Sequence, residues 1–105
     1  VVLASGKTDL VTDGEQVCLI DNGCEMMGRI TGTGCMLNVL AGTYMSSGEP
    51  VAAAAAACVV LGISGEIAAG RCRGTGSFQA AFQDALFCMT DEDIRRRIRI
   101  DFCGQ

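Results

Sequence analysis

The chain has no histidine, a single proline and few aromatic residues, 5% of its 105 positions. Without histidine, a zinc site needs four sulfur or oxygen donors. The seven cysteines, Cys18, Cys24, Cys35, Cys58, Cys72, Cys88 and Cys103, contain no Cys-x-x-Cys pair to supply them. The same spacing gives a thiol-redox protein no resolving partner close in sequence. An odd number of cysteines also argues against a disulfide framework, and reduced thiols fit a cytoplasmic setting. Cys58, Cys72 and Cys88 fall in apolar helical patterns, where a thiol serves as a small hydrophobe.

Positive charge is scarce too. Eight Lys and Arg stand against twelve Asp and Glu, a net charge of −4, so neither nucleic-acid phosphates nor anionic lipid attract the chain. No nucleic-acid and no membrane partner is expected. The basic cluster Arg95-Arg96-Arg97 with Arg99 follows Asp91-Glu92-Asp93, which reads as a solvated helix with acids in its first turn and bases after. The alanine run from Ala52 to Ala57, with Cys58-Val59-Val60-Leu61, lies between Glu49 and Glu66. That uncharged stretch falls short of the ~20 apolar residues of a membrane span and predicts a buried helix.

What is abundant is small and apolar. Half the residues are hydrophobic and 14 are glycine, so a core of small side chains and closely approaching backbones is expected, in a layered α/β arrangement. The length suits one domain burying roughly two thirds of its unfolded surface. Residues 1–6 read as a buried strand ended by Gly6; residues 9–13 and Gln16–Ile20 read as a hairpin around Gly14-Glu15, closed by Asp21-Asn22-Gly23. Helices are predicted from Thr33 to about Ser47, from Glu49-Pro50 to about Arg71, and from near Ser77. In the last, Phe78, Ala81, Phe82, Ala85, Leu86 and Met89 form one apolar face.

The chemistry concentrates at Thr31-Gly32-Thr33-Gly34-Cys35, a glycine loop running into the apolar stretch Met36-Leu37-Asn38-Val39-Leu40. Glycines let backbone N–H groups turn toward a bound group, and a helix entry adds the positive end of its dipole. The result is an anion cradle with a thiol beside it. Ser5-Gly6-Lys7-Thr8 imitates the end of a P-loop, but the required earlier glycine would fall at Val1 and a strand follows, so the P-loop is rejected.

The succession of Ala4-Ser5-Gly6, Asp13-Gly14, Asp21-Asn22-Gly23, Thr31-Gly32-Thr33-Gly34-Cys35, the alanine-rich helix and Gly74-Thr75-Gly76-Ser77-Phe78 resembles the C-terminal part of the hydroxyethylthiazole kinases. The resemblance covers nearly the whole chain. It implies that residues 1–105 are the C-terminal segment of one ribokinase-like three-layer α/β/α domain, with short strands and a hairpin followed by three or four helices. It further implies ATP-dependent phosphorylation of the primary alcohol of 4-methyl-5-(2-hydroxyethyl)thiazole, in thiamin salvage. By position, Cys35 is the catalytic residue at the substrate hydroxyl, Gly32 touches the thiazole, and Ser5 stands for an ATP-binding threonine. Gly34 and the N–H groups around Thr33 face the transferred phosphoryl group. ATP is the co-substrate, Mg2+ is expected with ligands mainly in an N-terminal part that is not in this sequence, and the family is homotrimeric. The segment by itself is then expected to be inactive. The alternatives are a catalytically silent packing or oligomerisation fragment and, behind it, a small thiol-redox protein using Cys35.

Overall fold

A computed structural model describes residues 1–29, 33–46 and 48–104. Strands β1 (Val2–Ala4), β2 (Asp9–Thr12) and β3 (Gln16–Ile20) come first, then a short 3-10 helix, Glu25–Arg29. Helices α1 (Thr33–Met45), α2 (Pro50–Ala69), α3 (Thr75–Phe87) and α4 (Asp91–Arg97) follow, and strand β4 (Ile100–Gly104) closes the chain. The four strands form one antiparallel sheet in the order β1-β2-β3-β4. Strand β4 carries no sequence signal beyond Ile100 and Phe102; its pairing with β3, Ile20 opposite Ile100 and Cys18 opposite Phe102, makes it a strand.

The hairpin forms where its turn chemistry permits. Gly14 takes a φ of +100°, which favours glycine, and Asp13 accepts from the N–H groups of Glu15 and Gln16, both at 2.9 Å. Those two donors hold the Asp13 carboxyl below its ordinary range.

Opposite residues of an antiparallel pair share a face, so the register sorts the sheet into two sides. Leu3, Val11, Cys18 and Phe102 align in one row, and Asp9, Ile20 and Ile100 in another on the same side. This side is the core: Val11, Cys18 and Ile20 have no exposed surface and pack with α2. The other side carries Val2, Ala4, Leu10, Val17 and Leu19, of which Val2 and Ala4 are exposed and the rest half-buried. Strand β1, expected to be buried, is instead an exposed edge strand, because it pairs with β2 alone and Val2 and Ala4 face outward. Within this segment the fold is two layers, a sheet and its helices.

Helix α2 is the centre of the helical layer. Pro50 suits its first turn, and Glu49 caps it by accepting from the N–H groups of Val51 and Ala52 at 3.1 and 3.0 Å. At 20 residues, with a mean hydropathy of 2.0 over its most apolar 18, α2 has the length and composition of a membrane span, so the shortness expected of it is not what decides. Burial decides: 72% of its apolar window is covered by the sheet and the neighbouring helices, as in a core helix. Helix α3 presents Phe78, Phe82 and Ala85 to it, with the two rings stacked at 5.8 Å. Cys58 is buried in this layer and Cys72, after α2, packs half-buried against it, whereas Cys88 is exposed at the C-cap of α3 and is not a core residue.

Candidate functional site

Strands β1 and β3 run in the same direction, since each is antiparallel to β2. Ser5 leaves β1 and Asp21-Asn22-Gly23 leaves β3 at the same end of the sheet. From there the chain runs through the 3-10 helix toward α1. Helix α1 begins at Thr33, with Gly34 and Cys35 in its first turn, as the glycine loop predicts. The first N–H groups of a helix have no acceptor inside it, which is the physical basis of an anion cradle. Gly32 lies outside the described residues, as do the side chains of Thr33 and Cys35.

Two hydrogen bonds shape the turn that carries Ser5. Gly6 N donates to Asp9 Oδ1 at 3.0 Å, and the Thr8 hydroxyl donates to Asp21 Oδ1 at 2.6 Å. The second ties the β1–β2 turn to the segment that leads on to α1. Asp9 is half-buried on the core side of the sheet, beside Cys58 of α2. Burial raises the Asp9 carboxyl above the ordinary carboxylate range despite the Gly6 donor. Burial, then the adjacent Asp9 charge, pushes the Cys58 thiol up to about 12. Cys58 is accordingly a protonated thiol and a poor nucleophile at neutral pH.

The segment after β3 is fixed by a polar cluster that sequence reasoning did not find. Asn22, 5% exposed, donates through Nδ2 to Glu66 Oε2 at 2.8 Å and to the Arg97 carbonyl at 2.6 Å, and its Oδ1 accepts from Arg99 N at 2.8 Å. Glu66 Oε2 also accepts from Gly23 N and from Arg99 Nη2, both at 2.9 Å. Gly23 takes a φ of +126°, which the sharp exit from β3 requires. Arg99 is thus not part of a solvated helix. Helix α4 itself matches expectation, with Asp91, Glu92 and Asp93 in its first turn and Arg95, Arg96 and Arg97 in its last. Asn22 and Glu66 lie far apart in sequence, and the only local sign of this clamp was the Asp-Asn-Gly turn. No three metal-binding side chains come together among the described residues.

Sheet order, central helix and the helix entry at Thr33 define an α/β protein of the ribokinase-like kind. The structure superimposes on a hydroxyethylthiazole kinase from Pyrococcus horikoshii OT3 with a TM-score of 0.95 at 34% identity, over 98% of this chain and 41% of that one. A hydroxyethylthiazole kinase of Methanocella arvoryzae is 41% identical over 103 residues, which are 97% of this chain and 39% of its own length. Hydroxyethylthiazole kinase 2 of Clostridium botulinum (strain Langeland) is 43% identical over 101 residues, 96% of this chain and 38% of its own. The sequence profile of the hydroxyethylthiazole kinase family matches residues 1–92, and the chain belongs to that family. It spans about two fifths of the length of these relatives.

Proposed function

We propose that residues 1–105 are the C-terminal segment of a hydroxyethylthiazole kinase domain, whose complete form transfers the γ-phosphoryl group of ATP to the primary alcohol of 4-methyl-5-(2-hydroxyethyl)thiazole. The observation that carries this reading is the start of α1 at Thr33, directly after the glycine loop and with Cys35 in its first turn. Phosphoryl transfer asks a protein for positioning and charge stabilisation more than for covalent chemistry. In this reading the N–H groups at Thr33 and Gly34 face the phosphoryl oxygens as they gain charge, and Gly32 lies against the thiazole. Ser5 contacts ATP. Cys35 meets the substrate hydroxyl, whose oxygen bonds to the γ-phosphorus as the bond to the β-phosphate bridging oxygen breaks; the hydroxyl proton leaves toward the thiol side.

Mg2+, when bound, neutralises phosphate charge. Its ligands are assigned, on the family resemblance, mainly to an N-terminal part of the protein, and no step here passes through it. The reading also carries a cytoplasmic homotrimer acting on small molecules, with neither nucleic acid nor membrane as partner.

The apolar outer face of the sheet, from Val2 and Ala4 to Leu10, Val17 and Leu19, fits a segment whose third layer is supplied by the rest of the domain. Transfer of labelled phosphate from ATP to the thiazole alcohol tests the proposal. The full-length protein is expected to turn over and the isolated 105 residues are not, because the glycine loop cannot hold two substrates in line unaided. A full-length protein that leaves the thiazole alcohol unphosphorylated contradicts it.

A further inference from the structure

We infer that Asp9 is a positioning residue for ATP, holding the Ser5–Thr8 turn in the shape that presents Ser5 to the nucleotide. The inference rests on the reading of Ser5 given above and adds a residue to it. Ser5 stands on an exposed connection between an edge strand and its neighbour, where few apolar contacts fix the backbone. Two hydrogen bonds do the fixing instead. Asp9 Oδ1 takes the N–H of Gly6, the residue after Ser5, at 3.0 Å, and Thr8 is tied to Asp21 at 2.6 Å. Asp9 is therefore the side chain that closes the turn, and it does so beside Cys58 of the central helix, whereas Thr8 joins the turn to the segment leading to the glycine loop.

The choice of a carboxylate is informative. Asp9 sits half-buried on the core side of the sheet, in register with Ile20 and Ile100, where a charge is disfavoured. Burial raises its pKa, so ionisation is less favourable there than on an exposed carboxylate. Its gain is a charge-assisted acceptor for Gly6 N–H, stronger than a neutral one and short enough to fix the turn. A turn held in one shape spares ATP the entropy of ordering it, which is a gain in nucleotide affinity and not in the chemical step.

Steady-state kinetics of the full-length kinase, varying ATP and the thiazole alcohol separately, test this with Asp9→Ala, Asp9→Asn and Ser5→Ala. Asp9→Ala is expected to raise the KM for ATP about tenfold, the size of one lost hydrogen bond, with kcat and the alcohol KM within about twofold. Asp9→Asn keeps an oxygen acceptor for Gly6 but loses its charge, and should recover only part of the ATP KM, whereas a role without this hydrogen bond would leave it no better than Asp9→Ala. If Asp9→Ala does not fold, Asp9→Glu, which displaces the carboxylate by one methylene from Gly6, should raise the ATP KM alone. An unchanged ATP KM in a folded Asp9→Ala or Asp9→Glu enzyme, beside a raised one in Ser5→Ala, overturns the inference and leaves the role of Ser5 standing. An unchanged ATP KM in Ser5→Ala overturns both.

Discussion

A β-carbon on Gly62 of α2 would lie 2.7 Å from both the carbonyl carbon and the Cβ of Asn22. The segment that leaves β3 for the glycine loop thus lies directly on the helix backbone, at a distance glycine alone permits. Gly65, one turn on, performs the same service for Met27, but there the obstacle would be the Sδ and Cγ of a flexible side chain.

This difference predicts unequal costs for the same substitution. Gly62→Ala must push the Asn22 backbone and the polar cluster with it, and should destabilise the full-length protein by about 3 kcal/mol, the upper part of the range for overpacking. Gly65→Ala should cost about 1 kcal/mol, and Met27→Ala should relieve it. Denaturant melts of the single and double variants check this, and equal losses at the two glycines would contradict the backbone contact.

The Asn22–Glu66–Arg99 cluster gives a second ordering. Asn22→Ala leaves the Arg97 carbonyl and the Arg99 N–H without their partner in a part-buried place, a loss of about 2–3 kcal/mol. Arg99→Met removes an ion pair whose arginine side chain is 58% exposed, and solvent screening limits that loss to about 1 kcal/mol or less. A double-mutant cycle between Asn22 and Glu66 should show coupling near 1 kcal/mol, whereas Asn22 and Thr90, which share no partner, should be additive.

Cys58 makes stability depend on pH at the alkaline end. Its thiol ionises at an ordinary 9.0 when exposed and at about 12 in the fold, so the folded state holds this proton longer than the unfolded one. The contribution is complete below pH 9 and is lost as pH rises through 12. Cys58→Ala should flatten the fall in melting temperature across that window, and an unaltered slope would place another group behind it.

Much of this architecture was legible because it is local. The hairpin followed from Asp13-Gly14, the start of α2 from Glu49-Pro50, the α3 face from the spacing of Phe78, Phe82 and Ala85, and α1 from the glycines ahead of an apolar run. What escaped was long-range. Strand β4 exists through its pairing with β3, and Asn22, Glu66 and Arg99 meet only because α2 returns to the end of the sheet where β3 stops. No spacing along the chain announces such a meeting. The meeting of Asp9 with Cys58 was missed for the same reason, although each stood in a correctly read element.

Cys35 is where the account is most exposed to a single measurement, the turnover of the full-length kinase with Cys35→Ala and Cys35→Asp, taken with melting temperatures. If the thiol receives or orients the substrate hydroxyl proton, Cys35→Ala should lower kcat by roughly 100-fold or more, with ATP affinity nearly unchanged, since general-base assistance is worth about 10²–10⁴. Cys35→Asp, which sets a carboxylate at the same helix entry, should keep far more activity than alanine. A folded Cys35→Ala enzyme with near-normal kcat, and a Cys35→Asp enzyme that is the worse of the two, would contradict the account and reduce Cys35 to a packing residue.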